Sequence, residues 1–108
     1  MAFGAKQSSE LYYVLFDFDE DLNPTDSDGT SLATDSLASV ATVSVVDQNT
    51  GYSFATLVDT SRNSVDSTKA WVWVKDGTSG HNYKITVLIN TNSNAKYEMD
   101  GILPVRDK

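Results

Sequence analysis

"DGTSGHNYKITVLIN" (residues 76–90) is the stretch whose reading decides the fold. Two glycines, Gly77 and Gly80, precede Tyr83. Ile85, Val87 and Ile89 then keep the tyrosine's parity, while Lys84, Thr86, Leu88 and Asn90 fill the alternate positions. Alternation at period two marks a strand with one face turned toward a core. The glycines supply a bend at its mouth, because they take positive φ without steric cost.

Outward from this strand the chain keeps the same character. Short clusters of β-branched and aromatic residues are separated by Gly, Asn, Asp and Ser, and helical periodicity is hard to find. Strands are predicted at residues 11–19, 38–46, 52–58, 69–75, 82–90 and 96–105, with a short extra strand near 31–37. "QNTGY" (48–52) reads as a tight hairpin and "TNSNA" (91–95) as the connection between the last two strands. Residues 59–68 read as a longer polar loop, and residues 19–30 lack apolar pattern. Pro24 and Pro104 sit at strand margins, where a missing amide donor is tolerated. Turns at this spacing predict an all-β, immunoglobulin-like (fibronectin III-like) antiparallel β-sandwich of about seven strands. The expected division is a flexible N-terminal segment, 1–9, followed by a single sandwich domain, 10–108.

That fold gives the tyrosine a purpose. In immunoglobulin-like sandwiches a tyrosine near the start of the sixth strand turns its hydroxyl back onto the preceding bend, pairing backbone groups left open by the crossover between sheets. Tyr83 suits this corner role. The competing reading is an ordinary half-exposed strand tyrosine, and the glycine bend and inward parity favour the corner. The strand "KAWVWVK" sorts Val72 and Val74 to one face and Trp71 and Trp73 to the other. The valines are the smaller, more regular set and are expected inside, which leaves one or both tryptophans partly exposed. A tryptophan pair more often covers a sheet than binds a ligand.

Composition excludes several functions. With 108 residues the chain has room for one domain and a real core. It has no cysteine, and so no disulfide, thiolate metal site or cysteine nucleophile. Fifteen acidic against eight basic residues give a net charge of -7, which disfavours nucleic acid and anionic membranes. Basic residues are scattered from Lys6 to Lys108, and the longest apolar run is far short of a membrane span. The opening "MAFGAKQSSE" has no hydrophobic signal region. The expectation is a soluble, acidic protein made inside the cell.

Candidate chemistry is sparse. Asp17, Asp19 and Asp21 have the spacing that begins a calcium loop, but Leu22 stands where glycine is needed and Asp28 where the closing glutamate belongs. A register from Asp26 and Asp28 does not close either, so a solvated acidic loop is expected and no metal site is assigned. His81, the single histidine, lies in the glycine bend with no nucleophile motif. Gly77 to Gly80 lacks the lysine and helix of a phosphate loop. No catalytic or cofactor-binding residue is assigned, and an enzyme is not expected.

The stretch "AWVWVKDGTSGHNYKITVLINTNSNAKYEMDGILPVRD" resembles the C-terminal half of phage fiber-tail adaptor proteins, which are immunoglobulin-like. Their hydrophobic strand, glycine bend with tyrosine, alternating strand, Thr/Asn turn and closing strand correspond to residues 72–74, 76–83, 85–89, 91–95 and 102–106. Lys6 and "ELYYVLFDFD" are similar to the family's opening lysine and first strand. The resemblance covers about residues 6–107. Asp76 departs from the usual first glycine of the bend, which a turn accepts, and residues 19–39 are unusually acidic. The resemblance implies a non-enzymatic phage or prophage structural protein, a neck or tail adaptor linking tail or fiber components. It would be made in the bacterial host cytoplasm and reside in the virion. Its partners would be other virion proteins, with neither nucleic acid nor membrane, and in isolation it would be a monomer or weak oligomer. The alternative is an immunoglobulin-like binding module for adhesion or carbohydrate, with Trp71, Trp73, Tyr12 or Tyr13 as a stacking platform.

Overall fold

In the computed structural model, which describes residues 2–24 and 35–107, six strands form two antiparallel three-stranded sheets packed face to face, an all-β sandwich. The strands are β1 (Tyr12–Asp17), β2 (Leu37–Asp47), β3 (Val58–Asp66), β4 (Lys69–Val74), β5 (Asn82–Thr91) and β6 (Lys96–Pro104). One sheet runs β1-β4-β3 and the other β2-β5-β6. The extra strand expected near residues 31–37 falls mostly outside the described residues.

Alternation explains the core. Tyr83, Ile85, Val87 and Ile89 of β5 are buried, as are Val72 and Val74 of β4 and Val14 and Phe16 of β1. Leu103 of β6 and Val45 of β2 complete the inner faces. Each such side chain contributes roughly 1.5–3 kcal/mol through removal from water. Trp71 and Trp73 lie on the opposite face of β4, partly exposed, as the pattern requires.

Two expectations in the middle of the chain need correction. Residues 52–58 do not form a strand: Ser53 makes an isolated bridge to Val46, and residues 55–57 form a 3₁₀ turn. Leu57 and Val58 are both buried although adjacent, which no strand alternation allows. The polar residues 59–68, expected as a loop, contain most of β3 instead. This strand sits at a sheet edge and pairs with β4 from Val58↔Val74 to Asp66↔Lys69, with an irregularity between Asp59 and Ser64. An edge strand needs little apolar surface, so its own sequence does not announce it.

The first strand is also shorter than residues 11–19. After Asp17 its carboxylate accepts the amide of Asp19 at 2.9 Å and starts a single helical turn, α1 (Asp19–Leu22), which buries Leu22. The N-terminal segment 1–9, set apart from the domain on sequence, is joined to it from Ala2 onward. Ala2 and Lys6 form parallel bridges with Ile102 and Val105, and Phe3 packs edge-to-face on Phe16 at 5.3 Å. Gly101 makes this possible, because a Cβ there would collide with the Phe3 ring.

Candidate docking surface

Two places on the sandwich gather polar and aromatic side chains. The first is the bend before β5. Gly77, at φ 102°, brings its backbone against Val105 and Leu57, leaving no room for a Cβ. The amide of Thr78 donates to the Tyr83 hydroxyl at 2.7 Å, so the tyrosine closes the bend as a corner residue. Lys6 is fully buried beside it. Its ammonium donates to the carbonyls of Gln7 (2.7 Å), Ser8 (3.2 Å) and Asp76 (2.8 Å). Burial pushes the Lys6 pKa down, and the charges of Asp76, Glu10 and Asp107 only partly offset this.

His81 belongs to the same end of the molecule. Its Nδ1 lies 2.6 Å from Oδ2 of Asp47, which is 4% exposed. The other Asp47 oxygen accepts the Asn49 amide at 2.9 Å. Burial alone would raise the Asp47 pKa. The bond to His81, the Asn49 amide, the His81 charge and the Thr50 amide outweigh burial and hold the pKa below the ordinary carboxylate value. Arg106 bonds the carbonyls of His81 and Val105 and the Asn82 side chain. These bonds tie the turn after β2, the bend and Arg106 together. The grouping is a structural latch.

The second place is the outer face of the β1-β4-β3 sheet. Alternation brings Tyr13 of β1 beside Trp71 and Trp73 of β4. The Tyr13 ring stacks on Trp71 at 5.6 Å and 25°, and tilts against Trp73 at 5.6 Å and 59°. Arg62 of β3 lies over the Trp73 ring at 5.2 Å, steadied by Asp59 at 3.3 Å. Leu11 and Leu15 extend the apolar surface along β1, beside a groove of about 640 Å³ walled by residues 3–5 and 10–15. Rings on rigid strands, with a cation above one of them, can bind a flat or apolar partner at little entropic cost.

Of the four aromatics named on sequence, three meet here; Tyr12 has the opposite parity and packs against the core. Arg62 was not foreseen, since its position over Trp73 depends on the irregular pairing of β3. The Asp47–His81 pair and the carbonyl cage of Lys6 are long-range contacts with no local signal. In the acidic segment, Asp17 and Asp19 are engaged by the Asp19 amide and the Asn23 side chain, while Asp26 and Asp28 lie outside the described residues. Among the described residues no three His, Asp or Glu side chains gather as a metal site. In comparisons with known proteins, no protein-family model matches the chain and no curated protein matches it.

Proposed function

We propose that this chain is a non-enzymatic docking protein of a phage or prophage particle, an adaptor in the neck or tail joining tail or fiber components. The observation that carries docking is the Tyr13–Trp71–Trp73 cluster, displayed on a sheet face with Arg62 over one ring. The particle is suggested by the resemblance of residues 70–107 and of the opening Lys6 strand to fiber-tail adaptors. The Tyr83 corner supports the immunoglobulin-like class to which those adaptors belong. The working partners are other virion proteins, and the working place is the virion.

The test is mass spectrometry of purified particles or of an induced lysogen, with antibody labelling of the neck and tail. Recovery in particles supports the adaptor reading. Absence from particles, with the gene among surface-adhesion genes, overturns it.

The same three rings favour a second reading, an adhesion or carbohydrate-binding module, because sugars stack on aromatic faces. Tryptophan fluorescence separates the two: a glycan that quenches it saturably, with no protein recovered in particles, supports the second reading.

A further inference from the structure

The four edges of the two sheets differ in how they are protected. The free edge of β6 is bridged by Ala2 and Lys6. β2 carries register shifts between Leu37 and Ser39 and between Val40 and Thr42, and β3 carries one between Asp59 and Ser64. Among the described residues no strand pairs the outer side of β1, where residues 3–5 only line a groove, and its register with β4 runs unbroken from Tyr12↔Val74 to Asp17↔Lys69. Two of its three exposed positions are apolar, Tyr13 at 50% and Leu15 at 37%, the third being Asp17 at its end; Leu11, just before the strand, is 48% exposed. A regular apolar edge left open is a template for another strand.

We propose that β1 pairs antiparallel with β1 of a second copy of this chain, about a twofold axis at Tyr13, joining two three-stranded sheets into one. Directly opposed residues of an antiparallel pair share a face, so outer positions must meet outer positions. Centring on Tyr13 sets Leu11 opposite Leu15 of the partner copy, Tyr13 opposite Tyr13, and Leu15 opposite Leu11. Every exposed apolar residue of the strand then has an apolar partner. The same register places Glu10 opposite Phe16 and Asp17 opposite Ser9, so no like charges oppose one another. A shift of the axis to Val14 would set Leu11 against Asp17. Gly4 and Ala5, small and exposed beside the edge, leave space for the neighbour; a Cβ built on Gly4 meets nothing within 4 Å. Each copy carries a net charge of -7, so repulsion opposes the contact and salt relieves it.

The experiment is sedimentation of the full chain over a concentration series at low and high salt, with thiol crosslinking in this cysteine-free background. The expected result is a weak dimer that strengthens with salt. Tyr13→Cys should crosslink to itself roughly tenfold faster than Tyr52→Cys, a control at the exposed turn after β2, because pairing raises the local thiol concentration. Leu11→Cys and Leu15→Cys, which keep the tyrosine ring, should crosslink when mixed and not separately. Leu15→Lys should shift the protein to monomer with an unchanged circular dichroism spectrum. A chain that stays monomeric at its solubility limit, with Tyr13→Cys no faster than the control, overturns the proposal. So does a dimer that survives Leu15→Lys and fails to crosslink through β1.

Discussion

The amide of Thr78 donates to the hydroxyl of Tyr83 at 2.7 Å, closing a bend whose glycines stand at positive φ. The Tyr83 ring is fully buried and packs 5.2 Å from Phe54, so the hydroxyl is held where the amide needs it. Tyr83→Phe keeps the ring and orphans the amide. The expected loss is about 1–3 kcal/mol, read as a lower urea midpoint with an unchanged slope. A variant as stable as wild type would show that water replaces the hydroxyl at no cost.

The two glycines of the bend should respond unequally to alanine. Both have positive φ, 102° for Gly77 and 93° for Gly80, so each substitution stores backbone strain of about 1 kcal/mol. A Cβ on Gly77 would also stand 2.8 Å from Cγ2 of Val105 and 3.2 Å from Cδ1 of Leu57, whereas one on Gly80 meets open space. Thermal melts should therefore rank Gly77→Ala well below Gly80→Ala. Equal melting temperatures would mean that the Val105 and Leu57 side chains yield freely.

Lys6 tests the junction between the N-terminal segment and the sandwich. Its three carbonyl partners lose their donor in Lys6→Met, which preserves length and apolar contact. The expected cost is about 1–3 kcal/mol. Because burial lowers the Lys6 pKa, the unfolded chain holds this proton more tightly at alkaline pH. Wild-type stability should gain from Lys6 as pH rises through its lowered pKa toward the ordinary lysine value. The gain should be missing in Lys6→Met, a difference that denaturation at a series of alkaline pH values reads directly.

How much of this was visible beforehand varies with the range of the interactions. β4 and β5 were legible to within a residue, because their alternation is local and is driven by one buried face. The Tyr83 corner was legible because bend, ring and inward parity sit within a few residues. β3 was not, since its polar edge is held by ladder bonds to β4 that the strand's own composition does not encode. The aromatic face was partly legible: Trp71, Trp73 and Tyr13 were among the aromatics the sequence offered, pairing across the sheet selects Tyr13 over Tyr12, and Arg62 joins them only through that pairing. Lys6 stood out only as part of a family resemblance, and nothing local to it signals burial.

Acid should loosen the latch at the bend. Asp47 has a pKa below its ordinary value near ~3.9 in the unfolded chain. Its contribution to stability is therefore complete above that value and is lost as pH falls through the lower folded value. Asp35, Asp59, Asp100 and Asp107 are shifted the same way by exposed hydrogen bonds, and solvent makes each of them weaker. Between about pH 5 and pH 2 the denaturation midpoint should fall, and Asp47→Asn should flatten the fall while lowering the plateau at neutral pH. Identical acid profiles for the two proteins would remove Asp47 from the latch.

The two faces of β4 allow stability and docking to be separated on one strand. Val72 is fully buried, and Val72→Ala removes two methyl groups from the core at a cost of about 2 kcal/mol. Trp73 lies on the outer face, where its ring touches Tyr13 and Arg62 rather than the opposing sheet. Trp73→Ser should cost less than Val72→Ala, because the lost contacts are partly solvated and the core stays filled. Its effect should fall instead on binding: a hot-spot aromatic typically carries about 2 kcal/mol or more of an interface. If the outer face docks a virion partner, particles assembled with Trp73→Ser should incorporate at least roughly tenfold less of the protein, with the Val72→Ala chain incorporated normally below its melting temperature. The reverse ranking, with Val72→Ala excluded from particles and Trp73→Ser retained, would move the docking site off this face.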